Sequence, residues 1–273
     1  MTKPHTLHRI AASSGALLAL FAAAPATAQD SAPSGWTVSL GAGGRLLPKF
    51  PGSDEIGVAP LIYGTLRREG RPLPITAPDD TGVIGLLGGD SAFDIGPAVR
   101  LVGKRDEEDV GVPVGDVDLT VEVGAFAQLV IGDNFRLRAE GRKAVNGHDG
   151  WVGDLGGDFF IRDGDRTLFI IGPRARYGDS NYHEAYFGVT PAAAAASGLP
   201  AYDPGGGFYA VGAITGITHM ISRRWGVYGY AGYDRLIGDA ADSPIVRTLG
   251  SRDQYSAGLG IFYSFNVGNL FGL

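Results

Sequence analysis

The chain contains no cysteine among its 273 residues. That absence excludes a disulfide framework and any thiolate metal site. Basic residues are fewer than acidic ones, with 23 Lys and Arg against 29 Asp and Glu. The resulting net charge of -6 argues against a nucleic-acid partner. The five histidines are scattered without metal-ligand spacing, so we predict no cofactor.

Residue types that could support hydrolysis meet in one predicted loop, at Ser180, His183 and Glu184. The same types make up the serine, histidine and carboxylate sets of outer-membrane lipid hydrolases. A polar surface loop has the same composition, however, and we interpret the three as loop residues. We therefore expect that the protein is not an enzyme.

Long apolar runs are missing except near the N-terminus, at residues 10–24. This run follows Lys3 and Arg9 and precedes the small residues Ala26 and Ala28. It is shorter than the roughly 20 residues of a spanning helix and has the plan of a cleaved secretory signal. We expect residues 1–28 to be a signal peptide and residues 29–273 to form one exported domain.

Short segments that alternate apolar and polar residues fill the rest of the chain. In the last of them Leu259, Ile261 and Tyr263 share one face, and Gly260 and Ser264 share the other. Alternation between a lipid-facing and a lumen-facing side is typical of transmembrane barrels. A soluble β-sandwich would also alternate, but the export signal and the one-sided loop lengths favour the barrel.

We predict an all-β fold, a transmembrane antiparallel up-and-down β-barrel in the outer membrane of a Gram-negative cell. Ten strands are expected near residues 35–46, 55–67, 91–104, 117–131, 134–145, 151–162, 166–178, 207–219, 223–236 and 252–267. Two weaker apolar stretches, at 73–77 and 83–87, would add one hairpin. The expected count is therefore 10–12 strands, with 12 favoured.

The connections between these strands alternate in length, as they do in barrels with short periplasmic turns and long outer loops. The long ones, which should face outside, are 47–54, 105–116, 179–206 and 237–251. In the longest loop, Pro191 precedes the alanine run 192–196 and Gly198 follows it. Proline at the start and glycine at the end predict a short helix, which could fold over the barrel mouth.

Charged side chains of both signs fall on the predicted inward face. They are Arg100, Lys104, Asp118, Glu122, Arg136, Arg138, Glu140, Arg142, Arg174 and Arg176, with Asp94, Asp154 and Asp158 beside them. Opposite charges across a narrow lumen would pair into a network that fills it, whereas an open arrangement would line a solute pathway. We favour the network.

Two long loop motifs are distinctive. One runs from YFGVTP at 186–191 through the alanines to SGLPAYDPG at 197–205, and the other is LIGDAADSPIV at 236–246. Weaker ones are FPGSD at 50–54, the acidic loop 103–109 and QYSAGLG at 254–260. In these motifs the chain resembles the MipA/OmpV family, the MltA-interacting outer-membrane proteins.

The resemblance implies a non-enzymatic scaffold that brings a murein hydrolase, a lytic transglycosylase, together with a murein synthase at the outer membrane. Such a scaffold would need the segment 68–90 or the tail 266–273, and we expect Arg67, Arg68 and Arg71 as partner contacts. The alternatives are a channel for small solutes or antibiotics, and adhesion through the outer loops. Outer-membrane lipid is the expected surrounding partner.

Overall fold

The computed structural model describes residues 35–81, 85–86 and 91–268. Those ranges contain ten β-strands, close to the ten predicted segments. They are β1 (Trp36–Pro48), β2 (Ile56–Arg68), β3 (Phe93–Val102), β4 (Thr120–Ile131), β5 (Phe135–Ala144), β6 (Trp151–Asp163), β7 (Thr167–Gly178), β8 (Gly207–Met220), β9 (Trp225–Leu236) and β10 (Asp253–Val267). The expected signal peptide, residues 1–28, lies outside the described residues.

All ten strands form one antiparallel sheet in which chain neighbours pair, except that β2 and β3 lie at the two edges and β1 pairs with β10. The predicted all-β, antiparallel up-and-down arrangement is confirmed. Hydrogen bonds and ion pairs between strands that are not neighbours show that the sheet is curled. The hydroxyl of Tyr228 on β9 donates to the carbonyl of Leu61 on β2 over 3.0 Å, and Arg100 on β3 lies 3.4 Å from Asp154 on β6.

Strand β5 shows most clearly how the sequence divides the two faces. Phe135 and Leu137 are 56% and 52% exposed on the convex face, whereas Arg136 and Arg138 between them are 1% and 8% exposed on the concave face. Because side chains alternate with a period of two, one apolar-charged repeat makes both surfaces. The convex face is apolar on the other strands too, as expected of a surface that contacts lipid.

The strand ends form two different surfaces. At the turn end, short turns join β4 to β5, β6 to β7 and β8 to β9. At the loop end, the connections carry five short helices: α1 (Glu107–Val110), α2 (Ser180–Phe187), α3 (Pro191–Ser197), α4 (Gly238–Asp242) and α5 (Pro244–Leu249). Within the described ranges, no helix is both long enough and apolar enough to cross a membrane.

The loop-end helices pack together into a cap, whose apolar core also includes residues of the strand ends. Tyr186 and Phe187 of α2 lie with Ala240 of α4 and Val246 of α5, all almost fully buried. The hydroxyl of Ser243 donates to the carbonyl of Phe187 over 2.7 Å and so joins the two loops. The cap is an ordered layer at one end of the sheet.

The helix predicted from the alanine run is confirmed as α3. Thr190 is its N-cap, and its hydroxyl accepts a hydrogen bond from the Ala193 N–H over 3.1 Å. Gly198 ends the helix in the left-handed conformation at φ 78°, which glycine adopts without strain. Residues at the two ends of α3 therefore determine where this helix begins and ends.

The described residues contain ten strands and not the favoured twelve, since residues 71–81, which include the first of the two weaker stretches, form no strand. Prolines at positions 72, 74 and 78 remove backbone donors that a central strand needs. Residues 72–81, here called the inner segment, instead enter the concave side of the sheet, where Leu73 packs in a buried cluster with Phe160 and Leu168. Most of the second stretch, 83–87, lies outside the described residues.

We predict that Thr190→Ala loosens the cap locally, because loss of an N-cap hydroxyl costs about 1 kcal/mol of helix stability. Limited proteolysis within residues 190–205 should become roughly fivefold faster. Thr190→Ser keeps the hydroxyl and is the matched control. Equal cleavage rates for the two variants would contradict the predicted role of this N-cap.

Candidate functional site: the charged interior

Six arginines, here called the arginine cluster, lie on strands β3, β5 and β7. They are Arg100, Arg136, Arg138, Arg142, Arg174 and Arg176. Arg136 and Arg142 are each only 1% exposed, although they are among the longest side chains in the protein. Burying a guanidinium is costly unless it is paired and hydrogen-bonded, so the partners of this cluster decide what it can do.

The first set of partners comes from neighbouring strands of the same sheet. Arg136 lies 2.6 Å from Asp158 of β6, its register partner, and Arg142 lies 2.9 Å from Glu122 of β4. Asp158 also receives Arg174 of β7 at 2.8 Å. Strand pairing thus places the carboxylates beside the arginines. Asp158 of β6 bonds to arginines of both neighbouring strands, β5 and β7.

The inner segment supplies the second set of partners. Arg174 donates to both carboxylate oxygens of Asp79, over 2.9 and 3.1 Å, and Arg100 donates to the Asp79 carbonyl over 2.8 Å. Arg136 binds both oxygens of Asp80, one of them at 3.1 Å. Paired donors of this kind fix direction as well as distance, so these arginines hold the inner segment in place.

Thr81, the last residue of the inner segment, also binds the sheet, at a position nearer the loop end. Its N–H donates to Glu140 over 3.0 Å, and its hydroxyl also donates to that carboxylate. Beyond it, His148 lies 3.1 Å from Glu122. The interior is therefore a continuous polar network, with the inner segment threaded through it.

A cavity of about 120 Å³ remains beside the inner segment. Its walls include Tyr63, Thr65, Thr76, Pro78 and Tyr228, so it lies between the inner segment and strands β2 and β9. No group of three or more His, Asp or Glu that could hold a metal occurs in the ranges that the structure describes. The chemistry available inside is charge pairing and hydrogen bonding.

Most of the residues expected in the lumen lie in this network, and two lie elsewhere. Lys104 comes after the end of β3 and pairs with Asp106, and Asp118 is exposed before the start of β4. Sequence reasoning missed Asp79 and Asp80, because the stretch around them was interpreted as part of a hairpin. The three prolines before them were the available signal that no strand forms there.

The three arginines expected at the periplasmic contact lie at the turn end. Arg67 is half-buried and its guanidinium donates to the Arg71 carbonyl. Arg68 is exposed and stacks over the ring of Trp36, 4.2 Å from its centroid. Arg71 is exposed, immediately before the inner segment.

His183 lies in the cap, where it is 1% exposed. Within the described part of the chain, the His183 ring is not bonded to Ser180 or Glu184, and the polar group that acts on it is the Gly205 backbone. Burial lowers the pKa of His183 below its ordinary value, since the charged imidazolium would lose its hydration. The geometry is that of a neutral packing residue.

We predict that Asp79→Asn with Asp80→Asn releases the inner segment, because removing one partner of a buried ion pair leaves charge uncompensated. The chain has no cysteine, so Ala77→Cys provides a single buried label site. Its reaction with a water-soluble maleimide should become at least about tenfold faster in the double variant, from a cost of 3–5 kcal/mol per broken pair. Asp133→Asn, in an exposed turn, is the control, and unchanged labelling in the double variant would contradict the prediction.

We predict that the cap loses stability as the pH falls below about 6.5. In the unfolded loop His183 takes up a proton there, whereas the lowered pKa resists protonation in the folded cap, so acid favours the open form. Between pH 7.5 and 5.5, hydrogen exchange of residues 180–205, corrected for its intrinsic pH dependence, should increase by up to about tenfold. His183→Leu should reduce that increase and His219→Gln, at the turn end, should not. An equal increase in the parent and in His183→Leu would contradict this assignment.

Comparison with solved structures gives several outer-membrane proteins at low identity. An outer-membrane channel from Pseudomonas putida F1 is 11% identical, with 88% of this chain and 100% of that chain covered and a TM-score of 0.41. The outer-membrane protein OprG from Pseudomonas aeruginosa is 10% identical, with 85% and 97% covered and a TM-score of 0.27. Neisserial surface protein A is 9% identical, with 84% and 97% covered and a TM-score of 0.24.

No curated protein matches the chain. The family model described as MltA-interacting protein MipA matches residues 40–265, from the first strand to the last. Together with the apolar convex face, this match confirms the outer membrane as the location. The chain belongs to the MltA-interacting protein MipA family.

Proposed function

We propose that this outer-membrane protein is a non-enzymatic scaffold that holds murein-processing enzymes at the membrane, among them a lytic transglycosylase. The observation that carries the proposal is the inner segment, whose Asp79 and Asp80 occupy the concave face between Arg174 and Arg136. Because the inner segment of the same chain occupies the interior of the sheet, only the outer surfaces are available to bind partners. The family description, MltA-interacting, supports this reading.

The turn end is the surface on which we place the partner contact, with Arg67, Arg68 and Arg71 as the residues that would bind. Arg166 and Arg223, exposed in the β6–β7 and β8–β9 turns, lie at the same end, where arginines outnumber the acids of the turns, Asp133, Asp163 and Asp165. The loop end is different, because its loops include the acidic run 106–109. The two ends therefore suit partners of different charge.

Catalysis has little support from the geometry. Among the described residues, the His183 ring is not bonded to Ser180 or Glu184, and the buried carboxylates of the interior are bound to arginines. A catalytic base must lie within hydrogen-bond reach of a reacting group. These groups are used in packing and ion pairing, which supports the non-enzymatic reading.

The rival reading is a channel for small solutes, and it is tested by conductance. We predict that the refolded protein in a planar bilayer shows no steady single-channel steps, because the inner segment lies inside the curled sheet, bonded to Arg174 and Arg136. The Asp79→Asn, Asp80→Asn variant should show steps, since it frees the segment. Steady ion-selective steps from the unaltered, folded protein would overturn the scaffold proposal in favour of the channel.

The scaffold itself is tested by binding. Refolded protein in detergent without phospholipid should retain a purified lytic transglycosylase, and the charge reversal Arg68→Glu with Arg71→Glu should weaken retention at least tenfold. Asp54→Lys, at the loop end, is the control and should bind as the parent does. Absence of binding by the folded parent would reject the scaffold, and binding unaffected by the reversal would reject this contact surface. Adhesion through the outer loops would appear instead as binding to whole host cells that depends on the cap.

A further inference from the structure

Aromatic side chains border the convex face at the turn end, where the first and last strands pair. Trp36 begins β1, Trp225 begins β9, and Tyr263 of β10 is the register partner of Trp225. The rings of Trp225 and Tyr263 pack edge to face with centroids 5.0 Å apart. Tyr263 also pairs with Leu40, which is 52% exposed on the convex face. These rings are placed where aromatic residues meet the headgroup layer.

Two arginines join these rings. Arg68 pairs in register with Trp36, and its guanidinium lies 4.2 Å from the centroid of that ring. Arg224 precedes Trp225, and its guanidinium donates to the Tyr263 hydroxyl over 3.2 Å. The five residues Arg68, Arg224, Trp36, Trp225 and Tyr263 are here called the girdle face. Each arginine is thus oriented by an aromatic neighbour.

Neither arginine of the girdle face has an ion pair with any residue that the structure describes. The acid next to Arg68 in sequence, Glu69, instead accepts a hydrogen bond from the Asn266 side chain. Arg224 follows Arg223 and has no acidic neighbour within its turn. The contrast with the interior is clear, because every arginine of the cluster there is bonded to a carboxylate or a carbonyl. Among the described residues, the guanidinium groups of the girdle face contact aromatic rings and a hydroxyl group, and no carboxylate.

We propose that the girdle face binds the phosphate of anionic phospholipid headgroups. Guanidinium groups match phosphate oxygens with paired hydrogen bonds, and aromatic neighbours at the interface hold them at headgroup depth. The apolar surface beside them, with Leu40, Leu259 and Ile261 exposed, is suited to the acyl chains of the same lipid. Headgroup and chain contacts on one strip of the sheet distinguish a phospholipid from free phosphate.

The chain provides its own reporter for this lipid, because Trp36 and Trp225 are two of its three tryptophans. The third, Trp151, begins β6 at the loop end. In a Trp151→Phe background, fluorescence comes from the girdle face alone. The measurement is quenching of that fluorescence in phosphatidylcholine vesicles that contain a small fraction of either acyl-brominated phosphatidylglycerol or acyl-brominated phosphatidylcholine.

We expect brominated phosphatidylglycerol to quench more strongly, with a local enrichment of roughly fivefold for each arginine. Arg68→Gln with Arg224→Gln should reduce the enrichment to the bulk ratio, and high salt should weaken it in the parent. Equal quenching by the two lipids in the Trp151→Phe protein would overturn the proposal, as would a preference that survives in the double variant.

Two controls distinguish lipid binding at the girdle face from a general attraction of anionic lipid to the positive turn end. Arg166→Gln removes an exposed arginine of the β6–β7 turn and should keep the preference. A variant with Trp36→Phe and Trp225→Phe reports from Trp151 at the opposite end and should show none. Loss of the preference in the first control, or its appearance in the second, would overturn the girdle face as a lipid site. Heat-modifiable gel mobility establishes that each variant is folded.

Discussion

The pairing of buried arginines with carboxylates is the interaction on which the structure of this protein depends. A curled sheet with an apolar convex face must put its polar side chains inside, and there each guanidinium needs an acceptor. Asp158, bonded to Arg136 and Arg174, shows how one acid joins three strands. Without these pairs the concave face would be a set of desolvated charges, and the sheet would have no stable interior.

The inner segment follows from the same requirement. Strand carboxylates use only part of the donor capacity of Arg174 and Arg136, and Asp79 and Asp80 accept hydrogen bonds from several of the other donors. The segment thereby fills space that a channel would leave open. The surfaces that remain are a positive turn end, an acidic loop end and an apolar convex face, and the proposed scaffold uses the first of them.

The cap and the girdle face complete this division of labour. At the loop end, α2, α4 and α5 share an apolar core with the ends of the strands, so packing within the protein orders those loops. At the turn end, Arg68 and Arg224 are oriented by rings and not by carboxylates. Arginine therefore serves two purposes. Where a carboxylate lies within reach it forms the ion pairs that fill the interior, and where none does it is available for the proposed lipid contact.

The sequence by itself determined the strands, their faces and one helix, because these depend on a period of two, on turn residues and on local caps. The alternation of Phe135, Arg136 and Leu137 is readable without any long-range information, and Pro191 with Gly198 marks α3. Only the tertiary structure decided where residues 72–81 lie. Their attachment joins Asp79 to Arg174 and Asp80 to Arg136, positions far apart in the chain. Ion pairs of that kind have no local periodicity, so neither the sequence pattern nor the predicted hairpin indicated these partners, which only the curled sheet brings together.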